Sequence, residues 1–186
     1  MRSIVCGCLL LASAVVHARE PAPPIQEHAL RGTIQVAFSP EDDTASLVEQ
    51  VLNQARRQVL VEAYSFTNKQ IAQALIAAQK RGVDVQVIAD REQTEKAEFS
   101  RVGQLAAAGV PTFLDGTHQS AHNKVMVIDP GSDHTVVITG SFNFTQAAQY
   151  KNAENLLIIR GDKVLAEAFT VNWQHHRQHS IAYVQP

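Results

Sequence analysis

Cysteine is nearly absent from this chain: there are two, Cys6 and Cys8, both within the first eight residues. Beyond them no disulfide framework, thiolate zinc site or cysteine nucleophile is available. An excess of charge of one sign is missing as well. The 16 lysines and arginines face 18 acids, a formal net charge of −2, which excludes a globally basic nucleic-acid coat. The 9 glycines and 7 prolines in 186 residues, with no internal repeat and no low-complexity tract, exclude a fibrous or disordered chain. No apolar run reaches the roughly 20 residues that a membrane span needs.

One shorter apolar run stands at the start. Arg2 precedes Ile4 to Val16, and Val16-His17-Ala18 places small or short residues at −3 and −1 of a cut after Ala18. Residues 1–18 therefore read as a signal peptide, and the expected destination is periplasmic or secreted, with no stable membrane insertion afterwards. A lipoprotein cut before Cys8 is disfavoured, because the apolar run continues after Cys8. Removing residues 1–18 from 186 leaves 168, with 15 basic and 18 acidic side chains and no cysteine. Residues 19–32, with Pro21, Pro23 and Pro24, read as an irregular leader, and residues 33–186 as one domain with a core of its own.

Within that domain, strands are expected at 33–38, 59–64 and 83–89. Helices between them carry Leu47, Val48, Val51, Leu52 and Ala55, then Ile71, Ala74, Leu75 and Ala78. Asn68 is a candidate cap for the second. A third helix is expected over 94–108. After Gly109 short strands follow closely, at 111–114, 123–128, 135–139 and 155–159. A last helix is expected over 162–176, with Val164, Leu165, Ala168, Phe169 and Trp173 as its buried stripe. This order predicts an α/β fold: a single layered domain with a mixed β-sheet flanked by helices.

The informative stretch is 118–155. His122, Asn123 and Lys124 open one strand, Gly140-Ser141-Phe142-Asn143 closes the next, and Asn152 and Glu154 open the third, so three strand ends can share a crevice. Alternation puts His122 and Lys124 on one face, and Ser141 and Asn143 on one face. Asp129 is an odd number of residues from His122 and reads as a strand-end or core-pairing carboxylate. A neutral imidazole is a competent nucleophile towards phosphorus, and an imidazolium a competent acid. An ammonium and an amide can hold phosphate oxygens as charge builds. Glu154 can accept the other imidazole N–H and fix its tautomer. No acid cluster suited to Mg²⁺ or Ca²⁺ accompanies these groups. They point to phosphoryl chemistry with no metal and no cofactor.

An H-x-K triplet alone is a weak signal. The combination His122-x-Lys124-x4-Asp129, then Gly140-Ser141-x-Asn143, then Glu154 is much stronger. HNKVMVID at 122–129 followed by GSFNFT at 140–145 resembles the signature of the phospholipase D superfamily, and the whole is similar to its small single-motif bacterial endonucleases. FSPEDD at 38–43, AYSFTN at 63–68 and KNAEN at 151–155 extend the likeness over about residues 33–177. The resemblance implies His122 as a nucleophile that becomes phosphohistidine. It also implies Lys124 and Asn143 on the phosphate, Ser141 in support, and Glu154 orienting the histidine. Asp129 and Gly140 stand as structural residues. The turn from Asp129 to Thr135 is longer than the pattern and should only lengthen a loop.

One imidazole cannot both attack phosphorus and protonate the leaving oxygen on the opposite side, and the chain has no second H-x-K. The expectation is a two-fold homodimer that pairs His122 with its own copy. The resemblance implies the same assembly. His175, His176 and His179 read as solvated tail residues rather than a metal site, and His118 as a loop histidine. Arg56-Arg57 and Lys80-Arg81 read equally as helix-end cations or as DNA-backbone contacts. Phe142 and Phe144 read as core anchors of the Asn143 loop. The functional expectation is an exported, nonspecific endonuclease that cleaves DNA, with RNA as the other nucleic-acid substrate. Alternatives are a phospholipase D or other phosphodiesterase, and a silent nucleic-acid-binding protein.

Overall fold

The computed structural model describes residues 27–184. The expected signal peptide lies outside the described residues, as does most of the expected leader. Residues 27–31 have no regular structure.

Eight strands form one mixed sheet: β1 (Thr33–Ser39), β2 (Gln58–Ala63), β3 (Asp84–Asp90), β4 (Thr112–Asp115), β5 (Lys124–Ile128), β6 (Val136–Gly140), β7 (Glu154–Arg160) and β8 (Ile181–Ala182). Their spatial order is β1-β7-β6-β5-β2-β3-β4-β8. Only β2, β3 and β4 run parallel to one another. The remaining neighbours are antiparallel. The helices are α1 (Thr44–Gln54), α2 (Lys69–Lys80), α3 (Arg91–Lys96), α4 (Val102–Ala107), α5 (Gln146–Tyr150) and α6 (Lys163–His179).

Side-chain oxygens start most of these helices. Asp43, Asn68, Asp90, Thr145 and Asp162 each accept the backbone N–H three residues on, which satisfies a donor the helix cannot. The sheet has an apolar layer on each face. Val48, Leu52, Ile71 and Leu75 of α1 and α2 pack with Val61, Met126, Ile138 and Ile158 on one. Ala166 and Trp173 of α6 pack with Leu60, Val127 and Val137 on the other. The Trp173 indole N–H also donates to the Val61 carbonyl at 3.0 Å, which fixes how α6 lies. The single layered α/β domain expected from the sequence is the one observed.

Four local expectations need correction. The helix expected over 94–108 is two short helices, because the Arg101 N–H is taken by the distant Phe66 carbonyl at 2.8 Å and the chain turns there. Of the expected α6 stripe, Trp173 is buried and Leu165 and Phe169 pack beside it, but Ala166 and Thr170 are the other buried positions and Val164 is 42% exposed. The buried face is centred on the Trp173 anchor, which leaves Val164 at its margin. α6 also runs on to His179. α5, with 5 residues, and β8, with 2, are too short to leave a periodicity and were not expected.

With these strand directions, one edge of the sheet, across the strand ends, collects Ser39, Ala63, Asp90, Asp115, Lys124, Gly140 and Glu154. Asp129 lies at the opposite edge, past the other end of β5.

Candidate active site

Residues of the H-x-K motif meet at that first edge. Lys124 is the first residue of β5, pairs with Ala63 and is buried. His122 lies just before the strand and is exposed. The Lys124 Nζ is 2.7 Å from His122 Nδ1 and 3.2 Å from Nε2, and it donates to the His122 carbonyl at 2.8 Å. Burial pushes the Lys124 ammonium below its ordinary pKa, and the Glu154 carboxylate partly restores it. Tyr64 completes the pocket wall, with its ring 4.2 Å from the imidazole centroid and 5.0 Å from Nζ. Its backbone N–H donates to the Asn123 carbonyl at 2.9 Å, tying β2 to the approach of β5.

The Gly140–Asn143 turn is built from the next strand end. Gly140 has φ +145, and a Cβ there would collide with the Asn155 carbonyl, so the turn requires glycine. The N–H groups of Ser141 and Phe142 donate to that carbonyl at 3.1 and 3.2 Å. The Asn155 N–H in return donates to Ser141 Oγ at 3.0 Å. Phe142 and Phe144 are fully buried and anchor the turn, Phe144 edge-on to Phe66 at 5.8 Å. Asn143, between them, is half-buried, and its Oδ1 has no hydrogen-bond partner among the described residues. That oxygen can accept from a donor, and the amide nitrogen beside it can donate to an oxygen ligand.

Glu154, first residue of β7, accepts from Asn152 Nδ2 at 3.0 Å. The hydrogen bond expected between Glu154 and the His122 ring is not formed. The ring lies tilted against Tyr64 and faces Lys124 instead, and Glu154 acts on the pair through its charge on Lys124. Asp129 is buried and accepts the N–H groups of Arg56, Arg57 and Gln58 at 2.7–3.2 Å. Its carboxylate joins the end of α1 to the start of β2. Arg56, Arg57, Lys80 and Arg81 accordingly sit towards the edge opposite His122, with Arg81 Nη2 on the Leu52 carbonyl. They add no positive charge to the H-x-K crevice.

A second polar cluster lies at the same edge, and sequence reasoning missed it. His176 and His179 are not solvated tail residues. Together with His118 they surround Asp115, whose side chain is fully buried. His118 Nδ1, His176 Nδ1 and His179 Nε2 stand 2.9, 3.1 and 3.1 Å from Asp115 Oδ2. Burial raises the Asp115 pKa, but the three rings and the Thr117 N–H outweigh it and hold the carboxyl well below the usual carboxylate range. His175 stands outside, 6.1 Å from the His176 ring. Beside the cluster, Glu62 is buried in β2 with neither oxygen hydrogen-bonded. Burial pushes its pKa up to about 7, against an opposing pull from Asn123. No local pattern marks either group: Glu62 interrupts a buried apolar strand, and the partners of Asp115 are up to 64 residues away.

Comparison with known proteins agrees with this geometry. The family model described as "Cardiolipin synthase, PLD-like domain" matches residues 48–176. A phospholipase D of Rickettsia felis is 36% identical over 160 residues, 84% of this chain and 77% of that protein. A mitochondrial cardiolipin hydrolase of Xenopus tropicalis is 35% identical over 131 residues, 70% of this chain and 60% of its own. Among solved structures, Nuc of Salmonella typhimurium, a phospholipase D family member, superposes with a TM-score of 0.77 at 36% identity. That match covers 83% of this chain and 100% of Nuc. The paired histidine and lysine, the glycine-gated turn and these likenesses converge: the chain belongs to the phospholipase D superfamily and is a phosphodiesterase hydrolase.

Proposed function

We propose that this hydrolase is an exported endonuclease that cleaves DNA phosphodiesters with little sequence preference, as a two-fold homodimer and through a phosphohistidine. The observation that carries the reading is the His122–Lys124 pair, in contact at 2.7 Å and open to solvent on the imidazole side. Nuc, alike over its whole length, supports a nucleic-acid substrate. The Rickettsia relatives bear the name phospholipase D, and that favours the second reading, a lipid diester.

In the first step a lone-pair nitrogen of His122 attacks phosphorus. The P–N bond forms as the P–O bond to the leaving alcohol breaks. The leaving oxygen takes its proton from His122 of the partner subunit, held as imidazolium. In the second step water attacks phosphorus, gives its proton to that same partner imidazole, and expels the first His122. Lys124 and Asn143 hold the non-bridging oxygens throughout, and Ser141 keeps the turn in place. Glu154 offsets the buried charge of Lys124.

An apolar stripe supports the dimer. Ile34, Val36 and Phe38 are 47%, 49% and 57% exposed along edge strand β1, whose last residue, Ser39, pairs with Glu154. An exposed apolar edge strand calls for a covering partner, and a second copy placed there lies next to the site it must complete.

The test uses the chain lacking residues 1–18, plasmid DNA, and phosphatidylcholine vesicles. Expected are plasmid cleavage and an acid-labile phosphoenzyme, both lost in His122→Ala. Cleavage should also persist in EDTA while circular dichroism shows the fold intact. Turnover of the vesicles alone moves the assignment to lipid. Loss of cleavage in EDTA by a folded protein overturns metal-free chemistry.

A further inference from the structure

Three imidazoles and one carboxylate converge on a point that the hydrolytic reading does not use. We propose that Asp115, His118, His176 and His179 form a binding site for one divalent transition-metal ion of the zinc class, which fastens the end of α6 to the loop leading into His122.

The donor set fits. Each of the four residues offers one ligand atom, and those atoms all lie within 4.8 Å of one another. Histidine nitrogens with a single carboxylate oxygen suit Zn²⁺ and its neighbours, and four protein ligands fill a tetrahedron and leave no open position for substrate water. The site is therefore structural.

Hydrogen bonding alone serves the cluster poorly. All three ring nitrogens approach the same oxygen, Asp115 Oδ2, and one carboxylate oxygen offers only about two lone-pair directions. The other oxygen, Oδ1, is occupied by the Thr117 N–H at 3.0 Å. A cation at the centre would give every ring nitrogen its own bond.

The surroundings are those of a built site. Asp115 ends β4, and β8 pairs alongside β4 directly after α6, with Leu114 opposite Ile181. That return brings His176 and His179 over the carboxylate. His176 turns Nδ1 inward, so its Nε2 is free for an outer partner. Glu62 lines a cavity of about 10 Å³ shared with Asp115, Asn123 and His176, room for about one water. Neither Glu62 oxygen has a hydrogen bond, so this carboxyl is available beside the ring whose second nitrogen an outer-shell acceptor would orient.

The consequence reaches the candidate active site through the backbone. His118 is four residues before His122, and the Ala121 N–H is held by Asp90 Oδ2 at 2.8 Å. Metal on His118 would secure the first half of a loop whose second half is already secured.

The test uses untagged protein lacking residues 1–18, stripped with chelator and titrated with Zn²⁺ by calorimetry and with Co²⁺ by visible absorption. Expected are one ion per chain, tetrahedral Co²⁺ bands, and a Tm raised by about 10 °C at a thousandfold excess of Zn²⁺ over Kd. The double variant H176A/H179A should lose the site. His118→Gln alters only the loop and should weaken binding roughly a hundredfold; it decides the matter should the double variant fail to fold. His122→Ala should bind metal like the unaltered chain, so the result is independent of the substrate and of the hydrolytic step. Absence of saturable binding, or binding unchanged in His118→Gln, overturns the proposal.

Discussion

Two histidine clusters share one edge of the sheet, and they are built in opposite ways. His122 is exposed, touches Lys124 and Tyr64, and faces solvent with its reactive side. The rings around Asp115 are turned inward onto a fully buried carboxylate. The first cluster draws its motif residues from strand ends and leaves its imidazole open to solvent. The second draws its residues from β4, the following loop and the far end of α6, and is complete within one chain. Imidazole is common to both, so the difference lies in what the backbone puts in front of it: open solvent in one case, a carboxylate in the other.

The contrast can be broken most sharply at its open end. His122→Ala removes the proposed nucleophile and should lower plasmid cleavage by roughly 10⁴-fold or more, with thermal unfolding unchanged. A variant that stays within tenfold of the unaltered chain removes His122 from the chemistry. Lys124→Met should cost roughly 10²–10³ in kcat through lost stabilisation of developing charge. A change confined to KM would make Lys124 a binding residue only.

Breaking the assembly tests whether the open cluster is half of a site. Phe38→Asp places a charge in the exposed stripe of β1. It should yield monomers by sedimentation, with activity that falls on dilution and recovers with concentration. Full specific activity in a monomer would make the single chain sufficient.

The closed end is probed by pH. Glu62 has a folded pKa of about 7 against an ordinary 4.5, so the folded chain holds this proton more tightly than the unfolded one. Its contribution is fully present below pH 4.5 and is lost as pH rises through about 7, amounting to about 3 kcal/mol at most. Asp115, Asn123 and His176 face the same cavity. Urea unfolding of metal-free protein at pH 5 and pH 8 should show the loss, and Glu62→Gln should flatten it. An unchanged slope in the variant assigns the pH dependence elsewhere.

The same contrast explains what could be read in the sequence. His122, Lys124, Gly140, Ser141 and Asn143 are legible because strand alternation and a glycine turn set their positions locally. The role of Glu154 was only partly legible, since the His122 ring lies against Tyr64, a residue just past β2 and far away in the sequence. Asp115 looks like any strand-end acid, and its partners reach it only through the α6–β8 return. The break at 97–101 follows from a carbonyl at Phe66, which no window over 94–108 contains. Spacing carries information about neighbours in the chain, and the remainder depends on topology.

Asp90 has a further consequence. One of its oxygens caps α3 through Gln93, and the other holds the Ala121 N–H. The loop between β4 and β5 is thus moored just ahead of His122, whatever its length before that point. Gln119 and Ser120, both exposed, form a permissive stretch upstream of the mooring. A peptide inserted between them should hang beside the H-x-K crevice without shifting it, which makes this loop the natural place to graft a recognition element and give the hydrolase an address.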